Sequence, residues 1–390
     1  MTVAALRRPN ARLLAVAMMA ATVAALPPFL VGSLAVQLRR DLDFDAAGLG
    51  LAVSAFWLSS ALSSAALGRA AERLGAARAV RLGLTGNLAL QLAVAAFARS
   101  WSMLVVLLFV GGVLNSLIQL AVNVLLSQQM PAHRLGLALG AKQSAIPMGT
   151  LLGGLAVPAI ALTVGWEWAF VAAGALALLA LAALPSSRGR AAPAERPAAL
   201  SSQALTSLVV LGSGAAFAAA AAGALAAFLV SGGVAEGLGE GAAGVLLTVG
   251  SATGIAVRLA AGVRADRRDG GHLRVVIGML AIGALGIAGL GAGGTWTYVL
   301  LTPLAFGSGW AWPGLFNLAV VRDHPDRPGA ATGVTQTGVY VGALLGPLAF
   351  GLVVEHGSYS TAWVLAGTWL IVAAGIVWYG RRLSRARARR

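Results

Sequence analysis

Lys142 and Arg258 stand inside apolar stretches of this 390-residue chain, and Lys142 is its only lysine. A charge held in hydrocarbon costs at least about 2.5 kcal/mol even on lenient insertion scales, so such residues usually line a cavity or meet a counter-charge. All 13 acids fall in or near the polar interruptions instead: Asp41, Asp43, Asp45, Glu167, Glu236, Glu240 and Glu355 on one side of the apolar layer, and the other six on the opposite side. With no buried carboxylate to neutralise the two cations, one expected counter-ion is a bound anion. A guanidinium holds a carboxylate by two parallel hydrogen bonds, and an ammonium holds it as a compact point charge. Two other uses of the same residues stay open. Both side chains have long stems that could carry the charge to the lipid headgroups, and either could close a gate by bonding backbone carbonyls.

Other polar residues inside apolar runs add weaker signals. Asn115, Gln119 and Asn123 recur every four residues, which places them along one face of a helix. Trp310 and Asn317 share another run, and Asn317 matches Asn123 across an internal repeat described below. Gln143 and Gln336 form a repeat-related pair, and Tyr340 offers a hydroxyl. For each of these, a hydrogen bond between helices is at least as good a reading as contact with a ligand.

Several chemistries are excluded by what the chain lacks. It has no cysteine, so no disulfide, thiolate or cysteine metal site is expected. His133, His272, His324 and His356 lie in or beside loops without metal-ligand spacing, so neither metal nor cofactor is expected. The apolar runs carry no histidine, cysteine or acid from which to build a nucleophile and base, which argues against an enzyme. The phosphate-cradling Gly-x-x-x-x-Gly-Lys-Ser/Thr loop of a primary pump is absent as well.

The elements that must position these residues are membrane helices. Mean hydropathy is +0.84, with 58% hydrophobic and only 11% charged residues. Soluble domains carry about 25% charged residues. Runs long enough to span, at roughly 20 residues each, lie at 12–36, 47–67, 79–98, 102–129, 136–162, 166–184, 204–231, 241–263, 273–292, 296–321, 329–354 and 360–379. Barrel strands would alternate over about ten residues, and these do not. Arg7 and Arg8 before the first run resemble a signal peptide, but the run is too long and reads as an uncleaved first helix.

The chain repeats itself at half its length. Gly68-Arg69-Ala70-Ala71-Glu72-Arg73-Leu74-Gly75 is echoed 194 residues later by Gly262-Val263-Arg264-Ala265-Asp266-Arg267-Arg268-Asp269. Residues 136–156 align with 329–349 at an offset of 193. A polar, proline-bearing stretch at 185–203 separates the halves. The expected architecture is an all-α membrane protein of twelve transmembrane helices in two pseudo-symmetric six-helix bundles, 1–184 and 204–390. Duplicated halves of this kind are characteristic of secondary transporters. Gly149 and Gly153 in one half, and Gly338, Gly342 and Gly346 in the other, make small-residue faces suited to close helix packing.

Charge distribution orients the chain. The net charge of +15 would suit nucleic acid if clustered on a soluble face, but it is spread over alternate loops. With the N-terminus inside, 23 of the 28 basic residues fall in cytoplasmic segments, leaving Arg39, Arg40 and Arg99 outside. This is the positive-inside pattern. Both termini and the 185–203 linker are therefore expected in the cytoplasm of a bacterial plasma membrane, the basic tail from Arg381 touching lipid headgroups. No nucleic-acid partner is expected, and the chain is expected to act as a monomer.

With six plus six spans and paired Gly-x-x-x-acid-Arg turns, the chain resembles the major facilitator superfamily over essentially its whole length. In that family the turn's acid caps a helix N-terminus and pairs with arginine, latching the cytoplasmic side. A carboxylate is favourable at the positive end of a helix dipole. The resemblance gives this latch role to Gly68, Glu72, Arg73 and Gly75, and to Gly262, Asp266 and Arg267 in the second copy. Ala76 and Ala77 replace two basic residues of the pattern, and Asp269 stands where glycine is usual. The span-4 arginine common in proton-coupled members is missing, and Pro147 stands six residues before Gly153 rather than beside it. GAKQSAIPMGTLLGGLAVP and GSATGIAVRLAAGVRADRR look more like the cyanate-permease-like branch.

The Arg-x-x-x-Gly spacing at Arg258 and Gly262 is similar to monocarboxylate and oxalate carriers, where that arginine is implied to hold a substrate carboxylate. The aspartate that the monocarboxylate carriers place four residues earlier is Gly254 here. The family fold brings spans 5 and 8 together, which would set Lys142 and Arg258 on one chamber, roughly 10 Å in from the cytoplasmic turns. A secondary transporter of a small organic or inorganic anion is the expectation. Export of a small hydrophobic neutral or cationic compound is the alternative.

Overall fold

The computed structural model describes residues 8–130, 138, 141–184, 202–266, 270–324 and 327–388. Every regular element among them is helical. In hydrocarbon no water can satisfy a backbone N–H or C=O, so an apolar run closes its hydrogen bonds within one helix. The chain runs α1 (Arg8–Ser33), α2 (Ala35–Leu42), α3 (Ala46–Leu74), α4 (Ala76–Phe97), α5 (Trp101–Gln129), α6 (Ala145–Ala156) and α7 (Glu167–Ala183). It continues with α8 (Ser202–Ala235), α9 (Glu240–Asp266), α10 (His272–Leu290), α11 (Thr295–Leu304), α12 (Pro313–Asp323), α13 (Pro328–His356) and α14 (Tyr359–Ala388). Most of the linker expected at 185–203 lies outside the described residues.

Among the described residues, eleven helices are long and apolar enough to cross a membrane. The twelfth expected span, 166–184, is α7, an apolar helix in the shorter 10–17-residue class. Leu62, Leu285 and Leu300 are 70%, 70% and 71% exposed. Large apolar side chains facing outward from long apolar helices are what a lipid-facing surface requires. This is a multi-pass membrane protein.

The chain divides into two compact units, Met1–Phe44 with Ala55–Pro193, and Asp45–Ser54 with Ala194–Arg390. In the first unit α1 packs on α5, α6 and α7, and α4 packs on α5 and α7. Helices α1 and α6 approach closely at Gly153, where an added Cβ would sit 2.6 Å from Ser33 Oγ and 3.0 Å from the Phe29 carbonyl oxygen. The second unit repeats this scheme. Its first helix, α8, packs on α13 and α14, and added Cβ atoms at Gly338, Gly342 and Gly346 would meet the α8 backbone at Gly212, Ala216 and Ala220. Both repeated small-residue faces therefore serve close packing.

Helices are broken at three places beside proline, which removes a backbone donor. Beyond α6, Val157–Ala161 forms a π-helical turn holding Pro158 and leads into a short helical stretch, Leu162–Val164. Pro147 offers no N–H to the Gln143 carbonyl, and the chain turns at residues 143–144 before α6 begins. Pro303 and Pro313 bracket the third break, where Ala305–Trp310 forms a π-helical turn between α11 and α12. Such turns leave carbonyls available and recur at functional sites. The start of α3 belongs to the second unit, with the Ala46 N–H donating to Glu355 Oε2 at 3.1 Å and Ser54 Oγ to the Leu344 carbonyl at 2.5 Å.

Candidate functional site

The first unit carries a polar ladder along α5. Asn115 Nδ2 donates to Ser60 Oγ of α3 at 2.9 Å, and Ser60 and Ser116 hydroxyls lie 3.0 Å apart. Ser116 Oγ also donates to the Ser60 carbonyl. One turn along, Gln119 Nε2 donates to the Ala21 carbonyl of α1 at 3.1 Å and to Asn115 Oδ1 at 3.3 Å. Asn115 and Gln119 thus tie α1, α3 and α5 together, the interhelical role open to them from sequence.

Asn123 is different, because its carboxamide oxygen accepts from Lys142 Nζ at 3.1 Å. Lys142 is only 6% exposed and sits in the last helical position before the turn at 143–144, rather than within the continuous helix α6. The Pro147 break explains this difference from the expected position inside span 5. No acidic partner reaches Lys142 among the described residues, and no aspartate or glutamate is buried there. Gln143 follows directly and is half-buried.

In the second unit, Arg258 of α9 lies against the break in the α11–α12 helix. Its Nη2 donates to the Trp310 carbonyl at 3.0 Å, the last residue of the π-helical turn. Gly314 permits the approach, since an added Cβ there would lie 3.3 Å from Arg258 Cγ. The buried Trp310 ring packs edge-on to Phe306, with centroids 5.2 Å apart. Phe306 in turn fills the space over α9, and a Cβ at Gly254 would come within 3.3 Å of the Phe306 carbonyl oxygen. A larger residue at Gly254 would need the Phe306 backbone to give by a few tenths of an ångström.

Asn317 is half-buried on α12, and Gln336 and Tyr340 are half-buried one turn apart on α13. The three side chains make no hydrogen bond among the described residues, which leaves their polar atoms available. Sequence reasoning missed Ser60 and Ser116, and missed the π-helical turn that gives Arg258 its carbonyl. Pro303 and Pro313 flanking a Gly-x-Gly were the available signal for that turn.

The latch residues are only partly visible. Gly68 and Arg73 lie in the last turns of α3. Gly75 joins α3 to α4 with φ +85°, a conformation open to glycine and strained for L side chains. Gly262 is in α9, with nothing within 4 Å of an added Cβ. The side chains of Glu72 and Asp266, and all of Arg267, lie outside the described residues. Among the described residues no three His, Cys, Asp or Glu gather as a metal site would need.

Comparison with known proteins agrees with this architecture. A bacterial homolog of the human lysosomal transporter Spinster, solved in an inward-facing and occupied conformation, superposes with TM-score 0.74 at 15% identity, covering 97% of this chain and 98% of that one. A D-xylose–proton symporter gives TM-score 0.77 at 15% identity, covering 94% and 97%. A nucleoside transporter gives 0.72 at 15% identity, covering 94% and 99%. At this identity the likeness is one of fold. No curated protein matches the chain in sequence. The family model of the Major Facilitator Superfamily matches residues 11–347. Duplicated helical runs, small-residue packing faces and this match together place the chain in the Major Facilitator Superfamily, a family of transporters rather than enzymes.

Proposed function

We propose that the chain is a secondary active transporter that moves a small organic or inorganic anion across the plasma membrane by alternating access. The observation that carries this reading is Lys142, a buried ammonium whose hydrogen-bond partner is the neutral carboxamide of Asn123. An amide oxygen satisfies one N–H but supplies no counter-charge, and an isolated buried charge is strongly disfavoured. A substrate carboxylate or similar anion supplies that charge. Arg258 offers the second unit's cation, positioned by its hydrogen bond to the Trp310 carbonyl. Gln336, Tyr340 and Asn317 offer neutral hydrogen bonds to the same class of solute.

In this reading the two six-helix bundles are 1–184 and 204–390, joined by a cytoplasmic linker, with both termini cytoplasmic and the monomer as the working unit. Glu72 and Asp266 act with their arginines as latches at the paired turns. The similarity of Arg258 and Gly262 to monocarboxylate and oxalate carriers supports a carboxylate within the anion class.

A thermal-shift screen of the purified protein tests the substrate class. Formate, acetate, lactate, oxalate and cyanate are compared with tetraphenylphosphonium and uncharged analogues. Stabilisation by one or more of the anions alone is the expected result. Stabilisation by the lipophilic cation or a hydrophobic neutral compound alone would replace this reading with the export alternative.

A further inference from the structure

Asn87 and Gln91 lie one turn apart on α4, within the first unit, and both are fully buried at 0% exposure. None of their four amide atoms, Asn87 Nδ2 and Oδ1 and Gln91 Nε2 and Oε1, reaches a hydrogen-bond partner among the described residues. Asn87 is the twelfth residue of Ala76–Phe97. At a 1.5 Å rise this puts it roughly 16 Å from the helix start, remote from either end. The neighbours on the same face, Leu84 and Val94, are apolar and 0% exposed. Gln91 faces α7 at Gly174, where an added Cβ would stand 3.6 Å from Gln91 Cβ.

Buried polar groups are almost always paired, with protein or with ordered water. Two carboxamides four residues apart can bond directly, but that joins one donor to one acceptor and leaves one oxygen and three N–H donors unused. A hard cation does not suit the pair, because such ions collect six or more oxygen ligands and would face the N–H donors. Water suits it, having two donors and two acceptors, and internal waters in proteins typically make about three hydrogen bonds to groups of this kind.

We propose that Asn87 and Gln91 hold an internal water site within the first unit, midway along α4 and facing α7, bridging the two carboxamides. The site is separate from the Lys142–Asn123 pair and does not rest on the anion reading. A fully satisfied polar network rigidifies a packed interior, and a half-satisfied one weakens it.

X-ray radiolytic footprinting of the intact protein in ¹⁸O water tests the proposal directly, because a bound water activated in place labels the side chains beside it. Leu84 and Val94 are expected to take up label although bulk solvent does not reach them, with exposed Trp296 as the positive control. In Asn87→Leu/Gln91→Leu that label is expected to disappear. Thermal unfolding supplies a second readout. Each single leucine variant should lower Tm by a few degrees, and the double variant should recover most of the loss, because neither carboxamide is then left alone. Unlabelled Leu84 and Val94 in the wild type, at a dose that labels Trp296, would overturn the proposal. So would single-variant effects that simply add.

Discussion

Lys142 Nζ and Asn123 Oδ1 lie 3.1 Å apart, joining a residue just before the Pro147 break to the end of the polar stripe on α5. Hydrogen bonds to charged groups contribute about 1.5–3 kcal/mol. Asn123→Leu should therefore lower stability by about that amount, while Lys142→Met/Asn123→Leu should recover much of it, since no buried charge then lacks a partner. Thermal unfolding of wild type, Asn123→Leu, Lys142→Met and the double variant measures the coupling. Equal losses in Asn123→Leu and in the double variant would show that the pair is not energetically linked.

Arg258 and the Trp310 carbonyl form the corresponding contact in the second unit, at 3.0 Å. If the guanidinium steadies the π-helical turn, Arg258→Gln should speed amide hydrogen exchange over residues 305–314 with little change in α13. Arg258→Lys should restore only part of the protection, because an ammonium lacks the planar fork of donors. Unchanged exchange in Arg258→Gln would show that the bond does not hold the turn.

Glycines separate by what faces them. Gly342 abuts the α8 backbone at Ala216 and Ala220, whereas Gly278 on α10 has nothing within 4 Å of an added Cβ. Gly342→Ala should reduce the yield of folded protein and lower Tm, since helix backbones cannot give way as a flexible side chain can. Gly278→Ala should leave Tm unchanged or raise it, by about 0.5–1 kcal/mol of helix preference. Fluorescence-detected size exclusion with a thermal ramp reads both. The opposite order would contradict the packing described for α8 and α13.

The fold was legible because it depends on length and composition, which the chain displays openly. Apolar runs of spanning length, the half-length repeat and the paired turns give the multi-pass architecture and the superfamily without reference to any contact. Gly75 takes positive φ in the tight turn between α3 and α4, which favours glycine, whereas the sequence named it only through the latch pattern of the family it resembles. The site was legible only in part. Lys142 and Asn123 stand out by residue type, but their contact depends on helix rotation, which no spacing rule supplies. The π-helical turn at 305–310 is a shift of backbone hydrogen-bond register; Pro303, Pro313 and the Gly-Ser-Gly between them mark a weak place in the helix but not the kind of turn it makes. Ser60 was hidden because a serine in a membrane helix usually bonds its own preceding turn, as Ser63 does with the Ser59 carbonyl at 2.7 Å.

Orientation has its own test, simplified by a chain without cysteine. In the proposed orientation, Ser187→Cys in the linker and Ala292→Cys, exposed between α10 and α11, would report on opposite sides. An impermeant thiol reagent added to intact cells should label Ala292→Cys and spare Ser187→Cys until the membrane is opened. The reverse pattern would invert the proposed topology.

Anion binding by wild type, Lys142→Gln and Arg258→Gln tests most directly the proposal that buried Lys142 and half-buried Arg258 receive an anionic substrate. Isothermal titration of formate, acetate, lactate, oxalate and cyanate, with tetraphenylphosphonium as the contrasting ligand, gives Kd for each protein. Removing one charge-assisted hydrogen bond should weaken the best anion about 10- to 100-fold in each variant, the equivalent of roughly 1.4–2.8 kcal/mol, with tetraphenylphosphonium binding unaffected. Anion affinity equal to wild type in both variants, with loss confined to tetraphenylphosphonium, would contradict the account.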